Sequence, residues 1–195
     1  MNYQLIQKLN DRLYFTGKDV AEMADIQLPS AQVLCARYIK QGIFIRLKNN
    51  FYILSQKWDT LAKKDFLRMA NFLQAPSYIS FMTALSCYEI TTQVQRNFWE
   101  SACLKRSIRF EQNGSVFNFH KLKKELYFDF VKIENFFIAT PEKALLDTIY
   151  LYSYGKYTLD VPSLDLRKLN KARIKKLIVK FPSKTQRVTQ KLCRI

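Results

Sequence analysis

Glycine and proline are scarce, four and five in 195 residues, which argues against a collagen-like or disordered chain. Cys35, Cys87, Cys103 and Cys193 stand alone, with no CxxC pair. That spacing argues against zinc ligation or a disulfide framework, and the four read as small reduced hydrophobes of a cytoplasmic protein. No run of ~18 uncharged apolar residues exists, so no membrane-spanning helix and no membrane partner are expected. The opening residues Met1 to Lys8 lack a cationic stretch leading into an apolar run and a cleavage site, so no secretory signal is expected. His120 is the only histidine, and it closes an aromatic segment, 116–120, that alternates as a strand does. GxSxG, HExxH, the phosphate-binding loop and GxGxxG are all missing. Pro141-Glu142-Lys143 only loosely resembles the acidic-x-Lys fragment of some nucleases, its Glu and Lys being adjacent, and no second carboxylate is spaced to share a metal. Thr140 and Pro141 instead suit a helix start, with Glu142 at its positive end. No catalytic residue, cofactor or metal is therefore expected, and the chain does not read as an enzyme.

Acidic residues are also few, 16 against 32 Lys and Arg, giving net charge +16 and a pI near 9.8. Such a balance calls for a polyanionic partner, nucleic acid before membrane. Hydrophobic residues make up 48% and aromatics 14%, enough for a substantial core in one domain or two small ones. The charge is uneven. Residues 161–195 carry eleven basic groups against one acidic.

Residues 1–57 read as a unit of three helices and a hairpin. Tyr3, Leu5, Ile6, Leu9 and Leu13 fit a first amphipathic helix. Thr16, with Asp19 three residues on, caps a second, whose apolar face is Val20, Ala21 and Ala24. A third starts near Pro29 and Ser30 and buries Ala31, Leu34, Cys35, Tyr38 and Ile39, with Gly42 as its stop. Gln32, Ala36, Arg37 and Lys40 fall on the opposite face, with Val33 at the boundary. Then Ile43, Ile45 and Leu47 alternate with Phe44, Arg46 and Lys48, Asn49-Asn50 supplies a turn, and Phe51 to Leu54 returns. Three helices and a hairpin predict a winged helix-turn-helix. In that fold Ser30, Gln32, Val33, Ala36, Arg37 and Lys40 are the candidates for a DNA major groove. Arg46, Lys48, Asn49 and Asn50 form the wing, placed to reach the adjacent backbone or minor groove. A small domain for protein contacts fits the same pattern; the charge favours DNA.

Residues 58–75 read as a linking helix ending at Ala75-Pro76, and 76–195 as a second domain. A helix opens at Ser80. Strand-like runs cover 94–99, 102–110, 116–120 and 126–131, with Asn113-Gly114 as a hairpin turn. Period two puts Cys103, Lys105, Ser107 and Arg109 on one face, a basic one. A buried helix starts at Pro141, with Leu145, Leu146 and Ile149 as core. A basic amphipathic helix is predicted over 163–180, with a break near Leu169-Asn170, and a last helix over about 184–193. Lys105, Arg109, Lys168, Lys171, Arg173, Lys175, Lys176, Lys180, Lys184 and Arg187 are the candidates for a second, phosphate-contacting surface, since self-repulsion among so many cations costs stability unless a polyanion shares the site. The fold class predicted overall is α+β, a winged helix followed by a mixed domain ending in basic helices.

Four segments carry a resemblance to a known family: Gly42-Ile-Phe-Ile-Arg-Leu-Lys-Asn-Asn-Phe-Tyr52, Tyr78-Ile-Ser-Phe-Met-Thr-Ala-Leu-Ser86, Ile138-Ala-Thr-Pro-Glu-Lys-Ala-Leu-Leu-Asp147 and Phe181-Pro-Ser-Lys184. The chain resembles the AbiEi antitoxins, the regulator half of type IV toxin–antitoxin (abortive infection) modules. The resemblance implies a repressor of its own operon that binds inverted repeats of double-stranded DNA in the promoter. It also implies a C-terminal domain that counters a nucleotidyltransferase-like toxin, in systems where toxin and antitoxin need not touch. Asn49-Asn50 departs from the basic residue and Gly often found at the family's wing. The competing expectation is an RNA- or protein-binding adaptor that uses the basic C-terminal helices without promoter specificity.

Overall fold

A computed structural model describes residues 3–93 and 95–195, so Val94, the start of one expected strand, lies outside the described residues. The architecture is α+β. The chain forms two compact units, Met1–Phe66 and Leu67–Ile195.

The first unit opens with α1 (Tyr3–Asn10), β1 (Phe15–Thr16), α2 (Gly17–Ala24) and α3 (Leu28–Lys40). It continues through β2 (Phe44–Lys48), β3 (Phe51–Leu54) and α4 (Ser55–Trp58). Helix α1 buries Leu5 and Leu9 but ends at Asn10. Leu13, expected on its face, therefore follows the helix, and Tyr3 is 75% exposed. The Thr16 hydroxyl accepts from the Asp19 amide, and the Asp19 carboxylate accepts from the Thr16 amide at 2.6 Å, a complete capping box at the start of α2. Burial works against the charged Asp19 carboxylate, but the bonds from Thr16 and the Arg12 guanidinium beside it hold its pKa below the usual range.

Helix α3 ends as predicted at glycine. Gly42 (φ +71°) donates to Ile39 O at 3.0 Å and Ile43 to Tyr38 O at 2.9 Å, which satisfies the last carbonyls. Strand β3 lies between β1 and β2, antiparallel to both. The expected alternation placed Phe44 with Arg46 and Lys48; instead Phe44 and Leu47 are both buried. A bulge between Arg46 and Lys48 resets the phase of the strand, and the core ring Phe44 packs edge-on against Phe15 and Tyr38 at 4.8 and 5.1 Å. The turn is held from outside. Asn50 (φ +60°) accepts from the Gly17 amide through its side-chain oxygen at 3.0 Å, and a Cβ at Gly17 would meet that oxygen at 2.8 Å.

The linking helix predicted over 58–75 forms only in part. After α4, the stretch from Asp59 to Ala62 is non-helical, and α5 (Lys63–Leu73) restarts where the Asp65 carboxylate accepts from the Ala62 amide at 3.1 Å. The division between the units falls within α5.

The second unit holds β4 (Ser77–Ile79), α6 (Phe81–Cys87), β5 (Phe98–Cys103), β6 (Ile108–Gln112), β7 (Ser115–Lys121), β8 (Phe130–Ile133), β9 (Phe136–Ala139), α7 (Pro141–Ser153), α8 (Lys171–Ile178) and α9 (Ser183–Cys193). Its six strands run in the order β6-β7-β5-β4-β9-β8, with β4 parallel to β9 and β5 parallel to β7. Asn113 and Gly114, both at positive φ, turn β6 into β7. The run 102–110 is not one strand: it is the end of β5, a bend, and the start of β6. Cys103 is therefore buried while Lys105 and Arg109 are exposed on different elements, and the shared basic face does not form. The helix predicted over 163–180 forms only as α8. Short 3-10 turns occupy Val161–Ser163 and Leu166–Lys168; the Asp165 side chain accepts from the Arg167 amide at the second turn, and Asn170 accepts from the Arg173 amide to cap α8 afresh. Thr140 precedes α7 as expected but does not cap it; its hydroxyl donates to Asp129.

Candidate nucleic-acid interface

Helix α3 has the required two faces. Ala31, Cys35 and Tyr38 recur at helical spacing and are buried. Burial raises the Cys35 thiol to about 11, so it stays a neutral packing group. Ser30, Gln32, Val33, Ala36, Arg37 and Lys40 are all exposed. Val33 was placed at the boundary; at 61% exposure it stands fully on the outer face. The first turn of α3 contains no acidic residue and no side-chain cap, and Arg37 and Lys40 carry its last turn.

The hairpin is less free. The Arg46 guanidinium donates to the Asn49 side chain at 3.0 Å, and the Lys48 ammonium sits 4.6 Å from the Phe51 ring centroid. Arg46 and Asn49 are exposed, but Asn50 is half-buried, with its amide oxygen given to Gly17.

The ten residues expected to form one phosphate-contacting surface separate into committed and uncommitted groups. Arg173 bonds Asp129 at 2.8 Å and lies 3.4 Å from Glu142, and Arg109 pairs with Glu111 at 2.7 Å. Lys168 donates to Glu89 O at 2.7 Å. Lys180 lies 4.2 Å over the Phe128 ring and Lys184 5.2 Å over Tyr154. Lys171, Lys175 and Lys176 on α8, Arg187 on α9 and Lys105 in the bend after β5 are exposed, with no carboxylate partner among the described residues.

Two polar clusters went unread in the sequence. In the first, Lys143 and Asp147, four apart on α7, form an ion pair at 0% exposure. Lys143 also donates to the Tyr78 hydroxyl at 2.8 Å; Tyr78 and Ser80 donate to Asp147 at 3.0 and 2.8 Å. The rings of Tyr78, Phe128 and Phe181 lie 5.1–5.4 Å from the ammonium. Burial pushes the lysine down and the carboxyl up, each held back by the other's charge. The i, i+4 spacing of opposite charges was the available signal, since it is the spacing at which helix side chains meet. Lys143 of the nuclease-like tripeptide is thus a buried clamp between β4 and α7, and Glu142 accepts from the Asn170 amide at 3.0 Å. In the second cluster, Glu100 is 2% exposed and accepts from Tyr157 at 2.7 Å, with His120 Nε2 at 3.2 Å. Among the described residues no group of three or more His, Cys, Asp and Glu side chains is placed to hold a metal. None of the described helices is long and apolar enough to cross a membrane.

No family model matches the chain, and no curated protein does. Among solved structures the chain is similar to the RV2827C protein from Mycobacterium tuberculosis, with a TM-score of 0.64 at 9% identity over 98% of this chain and 75% of that one. At that identity the likeness is one of fold.

Proposed function

We propose that the first unit is a winged helix-turn-helix that reads DNA through α3, and that the chain represses transcription of its own operon by binding inverted repeats in the promoter. The observation that carries the reading is the outer face of α3. Six exposed side chains, none acidic, stand on a helix whose opposite face is locked into a core. Gln and Arg can each make paired hydrogen bonds to adenine and guanine in a major groove, and Val33 and Ala36 can meet thymine methyls. Arg46 and Lys48 at the hairpin supply backbone contacts. The uncommitted cations of α8 and α9 supply further phosphate contacts, sequence-independent ones.

The resemblance to the AbiEi antitoxins extends the proposal. The second unit, with its own sheet and core, then counters a nucleotidyltransferase-like toxin, and the chain acts in the cytoplasm without catalysis of its own. The deciding experiment is binding of the full chain to its own promoter, to random duplex and to RNA over a range of salt. Specific DNA-binding proteins favour their sites by ~10³–10⁷ over random sequence. Equal affinity for promoter and random duplex refutes the repressor reading, and preference for RNA favours the adaptor.

A further inference from the structure

A recess of about 430 Å³ opens in the second unit where the end of β7 meets the last turn of α7. Ser107, His120, Lys121, Lys123, Tyr154 and Lys156 line it, together with Tyr150. Its volume falls in the ~300–1,000 Å³ range of small-ligand sites. No carboxylate is among the lining side chains. Glu100, a buried acid beside the lining His120, is occupied by Tyr157 and by His120. Lys121, Lys123 and Lys156 are exposed and have no ion-pair partner among the described residues.

An ordinary use for cations here would be to satisfy the carboxyl end of α7. That end is already satisfied by backbone. Leu151 O accepts from the Tyr154 and Lys156 amides at 3.2 and 2.9 Å, and Tyr152 O from Gly155 at 2.9 Å. Lys121, Lys123 and Lys156 therefore border one concavity that has no carboxylate among its lining residues. Ser107 accepts from the Lys121 amide at 2.9 Å, which leaves its hydroxyl proton to donate. The His120 ring packs against Phe81 and Tyr157, and its hydrogen bonds run through Nε2, 3.2 Å from Glu100 and 3.0 Å from the Asn118 amide, so Nδ1 has no hydrogen-bond partner among the described residues. One wall is aromatic. Tyr150 and Tyr154 meet edge-on at 5.5 Å, and Lys184 caps the Tyr154 ring at 5.2 Å. Glu125 is the one acid acting on this wall, through Tyr150.

Lysines clustered around one recess suit phosphate oxygens, and the part of the Tyr154 ring left exposed beside Lys184 suits the flat face of a base. A duplex backbone needs a long open track; this site is a short recess. We propose that it binds a free nucleoside triphosphate, with the phosphates on Lys121, Lys123 and Lys156 and the base against Tyr154. The site shares no residue with the outer face of α3 or with the uncommitted cations of α8, so it stands or falls independently of promoter binding.

The test is calorimetric titration of the full chain with ATP, GTP, CTP and UTP, and with inorganic tripolyphosphate as the probe of charge alone. Saturable binding of at least one nucleotide is expected. A Lys121→Gln, Lys123→Gln, Lys156→Gln variant should lose about tenfold or more in affinity, because charge-assisted contacts are the strong ones. Tyr154→Ala should weaken the nucleotide while leaving tripolyphosphate unchanged. A Lys171→Gln, Lys175→Gln, Lys176→Gln variant, which removes equal charge elsewhere, should bind as the parent does. Unchanged melting temperatures without ligand would keep these comparisons clean, since every substituted lysine is exposed. Absence of saturable binding overturns the proposal. So does an equal loss in the α8 variant, or tripolyphosphate binding as tightly as every nucleotide.

Discussion

Replacing Lys143 by Met should unfold the second unit at a far lower denaturant concentration. The substitution keeps the length of the side chain but leaves Asp147 at 0% exposure with only the neutral donors Tyr78 and Ser80. Breaking a buried pair by removing one partner costs roughly 3–5 kcal/mol. A domain holds roughly 5–15 kcal/mol in all, so the loss is about a fifth of its stability at the least. At roughly 2 kcal/mol per M of urea, the midpoint falls by about 1.5–2.5 M. Asp147→Asn alone should cost a similar amount, because it strands the ammonium. The double variant should recover most of the loss, since the amide oxygen still accepts from Tyr78 and Ser80 while no charge remains buried. A coupling of about 2 kcal/mol or more is expected. The assay is tryptophan fluorescence in a Trp58→Phe background, which leaves Trp99, 7% exposed in β5, to report the second unit. In the Lys143→Met protein the carboxyl's folded pKa rises further above its unfolded ~3.9, so stability should be greatest in acid and fall as pH climbs through the folded value. An unchanged midpoint for Lys143→Met, or a double variant whose loss is the sum of the singles, would refute the clamp.

Gln32→Ala and Arg37→Ala should each cost roughly 1–3 kcal/mol on the cognate promoter and relax preference at one or two base pairs, measured by competition against single-base operator variants. Equal losses on random duplex would reduce both to phosphate contacts. Exchanging Lys171, Lys175, Lys176 and Arg187 for glutamine should reduce the slope of log K against log salt by roughly 3–4, if each meets a phosphate. An unchanged slope with intact folding would assign those cations elsewhere. Thr16→Ala should cost about 0.5–2 kcal/mol in a urea melt followed through Trp58. The Asp19 carboxyl is held below its usual range, so its contribution is present above the unfolded ~3.9 and is lost as pH falls through the folded value; that acid-side loss should shrink in the variant.

What could be read in advance depended on where the information lies along the chain. Helix α3 was legible because its apolar residues recur at helical spacing and Gly42 closes it; the capping box of Thr16 and Asp19 and the Asn113-Gly114 turn are equally local signals. Strand β4 was not legible. Only three residues long and buried throughout, it lacks the alternation that marks a half-exposed strand. The 3-10 turns before α8 were hidden because Asp165 caps a short turn of its own and Asn170 starts α8 afresh, both through side-chain bonds that apolar spacing does not record. The bulge after Arg46 also shows only in three dimensions, since period two has no means of recording an extra residue. Of the candidate interface, most of the α3 face was readable, but Val33 stands farther out than the spacing placed it and Leu34 and Ile39 are only half-buried. The basic C-terminal surface was only partly readable, because carboxylates distant in sequence, Asp129 and Glu142 above all, claim Arg173.

The bond from Gly17 to the Asn50 side chain makes two positions, 33 residues apart, into a single mutational unit. Any side chain at 17 strikes the amide oxygen, so Gly17→Ala should be tolerated poorly while Asn50 remains. Shortening Asn50 would open that space but orphan the Gly17 amide. Sequences that share this hairpin should therefore change the two sites together or leave both alone. Variation at the tip of the hairpin, often assumed to be free for tuning specificity, is constrained here from the opposite end of the unit.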